Sequence, residues 1–242
     1  MFPYKDENPT ELFPYVTIGI IALNVLAWLF LEGMGSAGPL AHAVCRYGLI
    51  PGELLRTVPV GTRVPLAPGV SCVLGRPDYL SVLTSMFTHG GWLHIIGNMW
   101  FFWVFGNNIE DAMGHGRFIV FYLLCGVVAA GAQVLMAPQS AVPMVGASGA
   151  ISGVLGAYLL LYPRVRVHVL VFLGFFVTTI VVPAYLMLGY WALLQVLGGL
   201  PSLGGRDVGG VAFFAHIGGF LAGLLLIRLF MREDYVAARS ST

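Results

Sequence analysis

Charged side chains are scarce in this sequence: only 10% of its 242 residues are Asp, Glu, Lys or Arg, and the formal net charge is +1. So little charge excludes a disordered chain, and the lack of any Lys/Arg run leaves no basic patch for binding nucleic acid. Cysteine is also rare, with three residues, which excludes a disulfide-rich miniprotein. Hydrophobic residues instead make up 58% of the chain, far above the fraction in soluble domains. The composition therefore predicts a polytopic membrane protein.

Six segments are apolar and about as long as a bilayer-spanning helix must be. They are residues 13–31, 91–109, 118–137, 145–162, 183–198 and 208–227. Residues 167–200 contain no full charge and are too long for one perpendicular span, so Pro183 is expected to separate an interfacial or irregular part from the fifth helix. The sequence predicts an all-α membrane protein with a bundle of six transmembrane helices, in a single domain over residues 1–242.

The distribution of Lys and Arg predicts that both termini face the cytoplasm. The N-terminal segment, residues 1–12, and a tail from about 229 to 242 would then be cytoplasmic, and a long first loop from about 32 to 88 would be external. Long structured loops are more often functional than bare connectors. Cys45 and Cys72 both lie in this loop, and the sequence leaves open whether they form a disulfide or remain free thiols.

Few polar side chains lie within the predicted spans, and each is costly at membrane depth unless it has a partner or a function. We single out His94, Asn98, Gln133, Ser148, Ser152 and His216. Small residues recur every four positions around Ser148 and again beside His216, so the fourth and sixth helices can approach closely. If they pack on these faces, the His216 imidazole can take the Ser148 hydroxyl proton. A packing motif and a buried histidine satisfied by a hydroxyl are the alternatives.

His94 and Asn98 are spaced i, i+4, which puts an imidazole and a carboxamide on one helix face. Both groups donate hydrogen bonds, as the stabilisation of a tetrahedral oxyanion requires. A metal site is the rival use of histidines, but no H-E-x-x-H pattern occurs and no Asp or Glu lies within a predicted span. We therefore expect neither a metal ion nor another cofactor, and the same lack of acids disfavours aspartyl chemistry.

Three stretches carry a family resemblance: LTSMFTHGGWLHIIGNMWFFWVFGNNIEDAMGHGRF over 83–118, VGASGAISG over 145–153 and AHIGGFLAG over 215–223. In these motifs and in their order the chain resembles the rhomboid intramembrane serine proteases, in their six-helix bacterial form. The resemblance implies that Ser148 is the nucleophile and His216 the general base of a dyad without an acidic third member. It also implies that His94, Asn98 and Gly146 form the oxyanion site.

Two positions depart from the family pattern. Ser152 stands where some rhomboids have an aromatic residue that stacks on the catalytic histidine, so other neighbours, or Ser152 itself, would have to orient His216. In the first loop, Tyr79-Leu80-Ser81 replaces a Trp-Arg pair found in many members.

The resemblance implies a serine endopeptidase of the bacterial inner membrane that cleaves the transmembrane segments of single-span proteins. Its partners would be those substrates and membrane lipid, and not nucleic acid. Substrates are expected to enter past the fifth helix, where Pro183 and Gly189 allow movement. A catalytically silent rhomboid-like protein that binds membrane clients is the first alternative. A small transporter is the second, weakened because the spans contain neither a carboxylate nor a detectable inverted repeat.

Overall fold

Long helices form the body of the protein, with short helices and strands between them. The computed structural model describes residues 2–174, 176–201 and 211–232. The helices are α1 (Tyr15–Phe30), α2 (Ala37–Tyr47), α3 (Pro51–Leu54), α4 (Ser81–Thr84), α5 (Trp92–Met113), α6 (His115–Met136), α7 (Ser148–Leu161), α8 (Ala184–Gly199) and α9 (Phe213–Phe230). The strands are β1 (Phe2–Asp6), β2 (Arg63–Ala67), β3 (Val70–Val73), β4 (Arg166–Leu173) and β5 (Phe176–Pro183).

A long helix lies at the position of each predicted span. Among the described residues, α6 and α9 are long and apolar enough to cross a membrane, while α1, α7 and α8 are apolar but shorter than 18 residues. Helix α5 has 22 residues. The predicted start of the sixth span at residue 208 and most of the predicted tail, residues 233–242, lie outside the described part. Six crossings therefore remain a prediction.

The chain is mostly helical, as the sequence predicts, but it is not all-α. Strands β1, β4 and β5 form an antiparallel sheet in that order, and β2 pairs with β3 in a hairpin. The interfacial or irregular part expected before Pro183 is the β4–β5 hairpin. Its strands are rich in Val, with Phe, Ile and Thr, which fit a pleated sheet better than a helix, and Gly174 at φ +64° begins the turn.

Helix α5 continues past the predicted end of the second span at residue 109 to Met113, and two carboxylates lie in this extension. Glu110 and Asp111 are fully buried in its last turns. Glu110 accepts hydrogen bonds from the backbone N–H groups of Val16 and Thr17, at the start of α1. Those N–H groups have no partner within their own helix, so the carboxylate replaces the water that would otherwise solvate them.

The first loop is folded and is linked covalently to itself. A disulfide joins Cys45, in α2, to Cys72, in β3, which answers the question that the sequence left open. Backbone hydrogen bonds in both directions connect Leu49 with Met144, and the Gly52 N–H donates to the Ser140 carbonyl. The loop is thus attached to the segment that leads into α7.

Helix α7 lies at the centre of the bundle, with every residue from Gly149 to Tyr158 buried. Its glycines face those of α9: a Cβ at Gly219 would overlap the Gly149 carbonyl oxygen, and one at Gly223 would overlap the Gly153 carbonyl oxygen. The backbones of the two helices are therefore in direct contact. The close approach predicted from the recurring small residues is confirmed.

Candidate active site

Ser148 and His216 meet between α7 and α9. Ser148 is the first residue of α7, and its Oγ lies 2.8 Å from Nε2 of His216, in the first turn of α9. The glycine contacts bring the two backbones close enough for a hydroxyl and an imidazole to reach each other without an intervening water. The structure thus joins the two residues as the sequence predicts.

Two side chains of α8 hold the imidazole of His216. Gln195 Oε1 lies 2.8 Å from Nδ1, and the ring of Trp191 lies 6.0 Å from the imidazole, tilted by 40°. Neither residue was predicted from the sequence. The available signal was an amide in an otherwise apolar segment, the same criterion that selected Gln133.

Ser152 does not contact His216 through a hydrogen bond. Its hydroxyl donates instead to the Ser148 carbonyl, at 2.6 Å, four residues earlier in the same helix. The expectation that Ser152 itself orients the histidine is therefore not met, and the aromatic neighbour comes from a different helix.

His94, Asn98 and Gly146 lie side by side, as the oxyanion prediction requires. A Cβ built on Gly146 would lie 2.5 Å from Nε2 of His94 and 3.4 Å from Nδ2 of Asn98, so only glycine leaves these nitrogens room. Gly146 has φ +120°, in the region that side chains rarely adopt, and its N–H donates to the Ser85 carbonyl at 2.8 Å. Asn98 Nδ2 is buried and finds no acceptor among the described residues, so it is free to donate to a ligand.

The backbone before α5 sets which nitrogen of His94 carries the proton. The Gly90 N–H donates to His94 Nδ1 at 3.3 Å, so Nδ1 is the acceptor and the neutral ring carries its proton on Nε2, the atom beside Gly146. His89 packs edge-on against His94 with 5.2 Å between ring centroids. Burial, with a smaller effect of His94, lowers the pKa of His89 to about 3, so this neighbour is neutral.

The loop before α5 is held by a buried carboxyl. Glu32 is 1% exposed and accepts a hydrogen bond from the backbone N–H of His89. Burial raises the pKa of Glu32 to about 7, although the bond from His89 acts in the opposite direction.

The start of α7 adds backbone donors to the site. The first N–H groups of a helix have no intrahelical partner and carry the positive end of the helix dipole. Because Ser148 opens the helix, these groups lie beside its hydroxyl. A cavity of about 460 Å³ lies at this site. Its lining includes His94, Asn98, Gly146, Ser148, Trp191 and His216.

Comparisons with known proteins all indicate the same family. A sequence model of the rhomboid domain matches residues 76–233. The chain is 30% identical over 158 residues to rhomboid-like protein 11, chloroplastic, of Arabidopsis thaliana, a match that covers 63% of this chain and 53% of that protein. It is 29% identical over 162 residues to rhomboid protease GluP of Bacillus subtilis, covering 67% of this chain and 28% of that protein.

A third relative is rhomboid protein 1, mitochondrial, of Saccharomyces cerevisiae, 31% identical over 109 residues, with 41% of this chain and 31% of that protein covered. The chain therefore spans about half the length of these relatives or less. They come from chloroplast, bacterium and mitochondrion, and one of the three names states a protease. Since the domain match covers more than half of the sequence, the chain belongs to the rhomboid family of integral membrane proteins.

Proposed function

We propose that this protein is an intramembrane serine endopeptidase that cleaves the transmembrane segments of single-span membrane proteins. The observation that carries the proposal is the 2.8 Å contact between Ser148 Oγ and His216 Nε2, in a cavity that His94 and Asn98 also line. Family membership supports it, because rhomboids are generally serine proteases.

The chemistry follows from the positions of the protons. Ser148 Oγ attacks the scissile carbonyl carbon while its proton passes to His216 Nε2, and the carbonyl oxygen becomes an oxyanion. Nε2–H of His94, Nδ2 of Asn98 and the first N–H groups of α7 donate to that oxygen. His216 then gives its proton to the leaving amine, and a water molecule, deprotonated by the same imidazole, hydrolyses the acyl-enzyme.

The substrate must present an extended segment, because a helix keeps its carbonyls in i to i−4 hydrogen bonds. Transmembrane segments that contain Gly or Pro near the cleavage point unwind most easily. The close approach of backbone around Gly146 and Ser148 favours a small residue before the scissile bond.

The proposed setting is the inner membrane of a bacterium, with both termini in the cytoplasm and the cavity open to the opposite side. In this orientation α7 begins with Ser148 near the outer face and ends just before Arg164 inside. The disulfide between Cys45 and Cys72 supports it, because disulfides persist in oxidising compartments and the loop that contains them is then external.

The experiment is covalent labelling of the detergent-solubilised protein with a fluorophosphonate, together with cleavage of a model single-span substrate. Ser148→Ala and His216→Ala are compared with two matched controls, Ser71→Ala and His42→Ala, at exposed positions outside the cavity. We expect labelling and cleavage by the wild type and both controls, and neither by the two site variants.

Two outcomes contradict the proposal. Labelling that survives Ser148→Ala identifies another nucleophile. A folded wild type that neither reacts nor cleaves supports instead a silent family member that binds membrane clients.

A further inference from the structure

A chain of hydrogen bonds runs from α8 to the candidate dyad, and the donor and the acceptor of each bond can be assigned. Gln195 Nε2 donates to the Trp191 carbonyl at 3.2 Å, so the amide oxygen is the atom that faces His216. This oxygen, Oε1, lies 2.8 Å from His216 Nδ1 and can only accept, so Nδ1 carries the proton. The neutral imidazole then has its lone pair on Nε2, the nitrogen that faces the Ser148 hydroxyl.

A second side chain of α8 fixes the orientation of the His216 ring. Trp191, one turn before Gln195, packs on the imidazole and on Phe220, with 5.8 Å between the rings of Trp191 and Phe220. The aromatic contact that Ser152 cannot supply is thus made from a different helix. Both orienting contacts, one polar and one aromatic, come from consecutive turns of α8.

We propose that Gln195 is the positioning residue of His216, so that the base is poised only while α8 lies against α9. The inference rests on the proposed function and adds to it a third member of the site, a carboxamide on α8. Gln195 touches no reacting atom, and its action is through the tautomer and orientation of the imidazole.

A carboxamide suits this place better than the carboxylate of soluble serine proteases. A buried carboxylate at membrane depth is expensive, whereas an amide fixes the same tautomer without a charge. The amide dipole still points its negative end at Nδ1, which favours the imidazolium that forms when His216 takes the Ser148 proton.

Helix α8 is placed so that the contacts of Gln195 and Trp191 with His216 can be lost. Most of the large side chains of α8 are exposed at the protein surface, and its buried residues are Ala184, Met187, Leu188 and Gly199. A shift of α8 away from α9 removes Gln195 from Nδ1 and Trp191 from the ring together.

The experiment compares Gln195→Met, which keeps the length of the side chain but has no acceptor, with Gln195→Glu, which keeps the acceptor oxygen. Leu194→Met, an exposed neighbour on the same helix, is the matched control. Each variant is studied as the full chain in lipid nanodiscs, with kcat and KM for a model single-span substrate. We expect Gln195→Met to lower kcat by about 10- to 100-fold, part of what a positioned base contributes, with KM within about twofold. Gln195→Glu retains more of kcat than Gln195→Met, and Leu194→Met changes neither constant.

A second measurement does not depend on turnover. The ¹⁵N shifts of His216, assigned by comparison with His216→Ala, report which ring nitrogen is protonated. We expect the proton on Nδ1 in the wild type and in Gln195→Glu, and a mixture of tautomers in Gln195→Met.

A wild-type His216 protonated on Nε2 overturns the inference whatever the variants do. Equal losses of kcat in the Met and Glu variants with an unchanged tautomer also overturn it, because they indicate a purely structural role. Failure of the proposed function is distinguishable, since the wild type is then inactive while the tautomer is still measured.

Discussion

Gly219 tests whether the contact between α7 and α9 sets the geometry of the dyad. It lies three residues after His216 and faces the carbonyl of Gly149, the residue after Ser148. The methyl group of Gly219→Ala overlaps a backbone oxygen, which cannot rotate away as a side chain can. From that overlap, the two helices must separate by roughly 1.5 Å before the contact becomes an ordinary van der Waals distance.

Two opposing terms set the effect on stability. Alanine is favoured over glycine in a helix by about 1 kcal/mol, whereas overpacking costs about 1–3 kcal/mol and occasionally more. We therefore expect Gly219→Ala to lower the free energy of unfolding by up to about 2 kcal/mol. The effect on rate is larger, because the 2.8 Å contact between Ser148 and His216 lies one turn away, and a misplacement of about 1 Å costs about 100-fold.

The matched control is Gly131→Ala, in α6, where nothing lies within 4 Å of the added methyl group. It gains the helix propensity without the overlap, so we expect up to about 1 kcal/mol of added stability and unchanged cleavage. Unfolding is followed by tryptophan fluorescence in mixed micelles with increasing dodecyl sulfate, and activity by cleavage of a model membrane substrate. Wild-type stability and wild-type cleavage in Gly219→Ala would refute the reasoning, as would equal losses in both variants.

Three further changes act on other parts of the site. Gly146→Ala should lower kcat by about 100- to 1,000-fold, the usual cost of losing an oxyanion donor, because its methyl group would lie 2.5 Å from Nε2 of His94; kinetics at saturating substrate checks this. Replacing both Cys45 and Cys72 by serine should lower the free energy of unfolding by about 3–4 kcal/mol, as expected for a sequence separation of 27, and should make the unfolding midpoint insensitive to a reductant that shifts the wild type. Because burial raises the pKa of Glu32 to about 7, above its value in the unfolded chain, the wild type loses stability as pH rises from about 4.5 to about 7. Glu32→Gln should therefore be more stable than the wild type at pH 8 by up to about 3 kcal/mol and equal to it near pH 4; a constant difference at both pH values would contradict this.

Small residues at every fourth position made the meeting of α7 and α9 predictable, because they leave the backbone as the only contact surface. The pairing of Ser148 with His216 follows from that geometry. The β4–β5 hairpin was not predictable in the same way, because a long uncharged run satisfies a membrane helix and a β-hairpin by composition alone. The end of α5 was misjudged because a span was taken to stop at the first charge, whereas Glu110 is buried by its bonds to another helix.

Gln195 shows a different limit. A single amide in an apolar helix has no periodic signal, and its partner lies 21 residues away in sequence, so only the packing of α8 on α9 reveals it. The disulfide was undecided for a similar reason, since a separation along the chain does not give the distance between two sulfur atoms.

Because Leu49 and Met144 are hydrogen-bonded, the two sides of the candidate site are supported by different parts of the protein. The proposed oxyanion side, with Gly146, continues from a segment that the disulfide-linked loop supports, whereas the proposed base, His216, is oriented by α8, whose large side chains are mostly exposed. Reduction of the disulfide would act on the first side and leave α8 untouched, whereas a change in the packing of α8 would act on the second. The cleavage proposed above needs both sides at once, so it would depend on the loop and on α8 together.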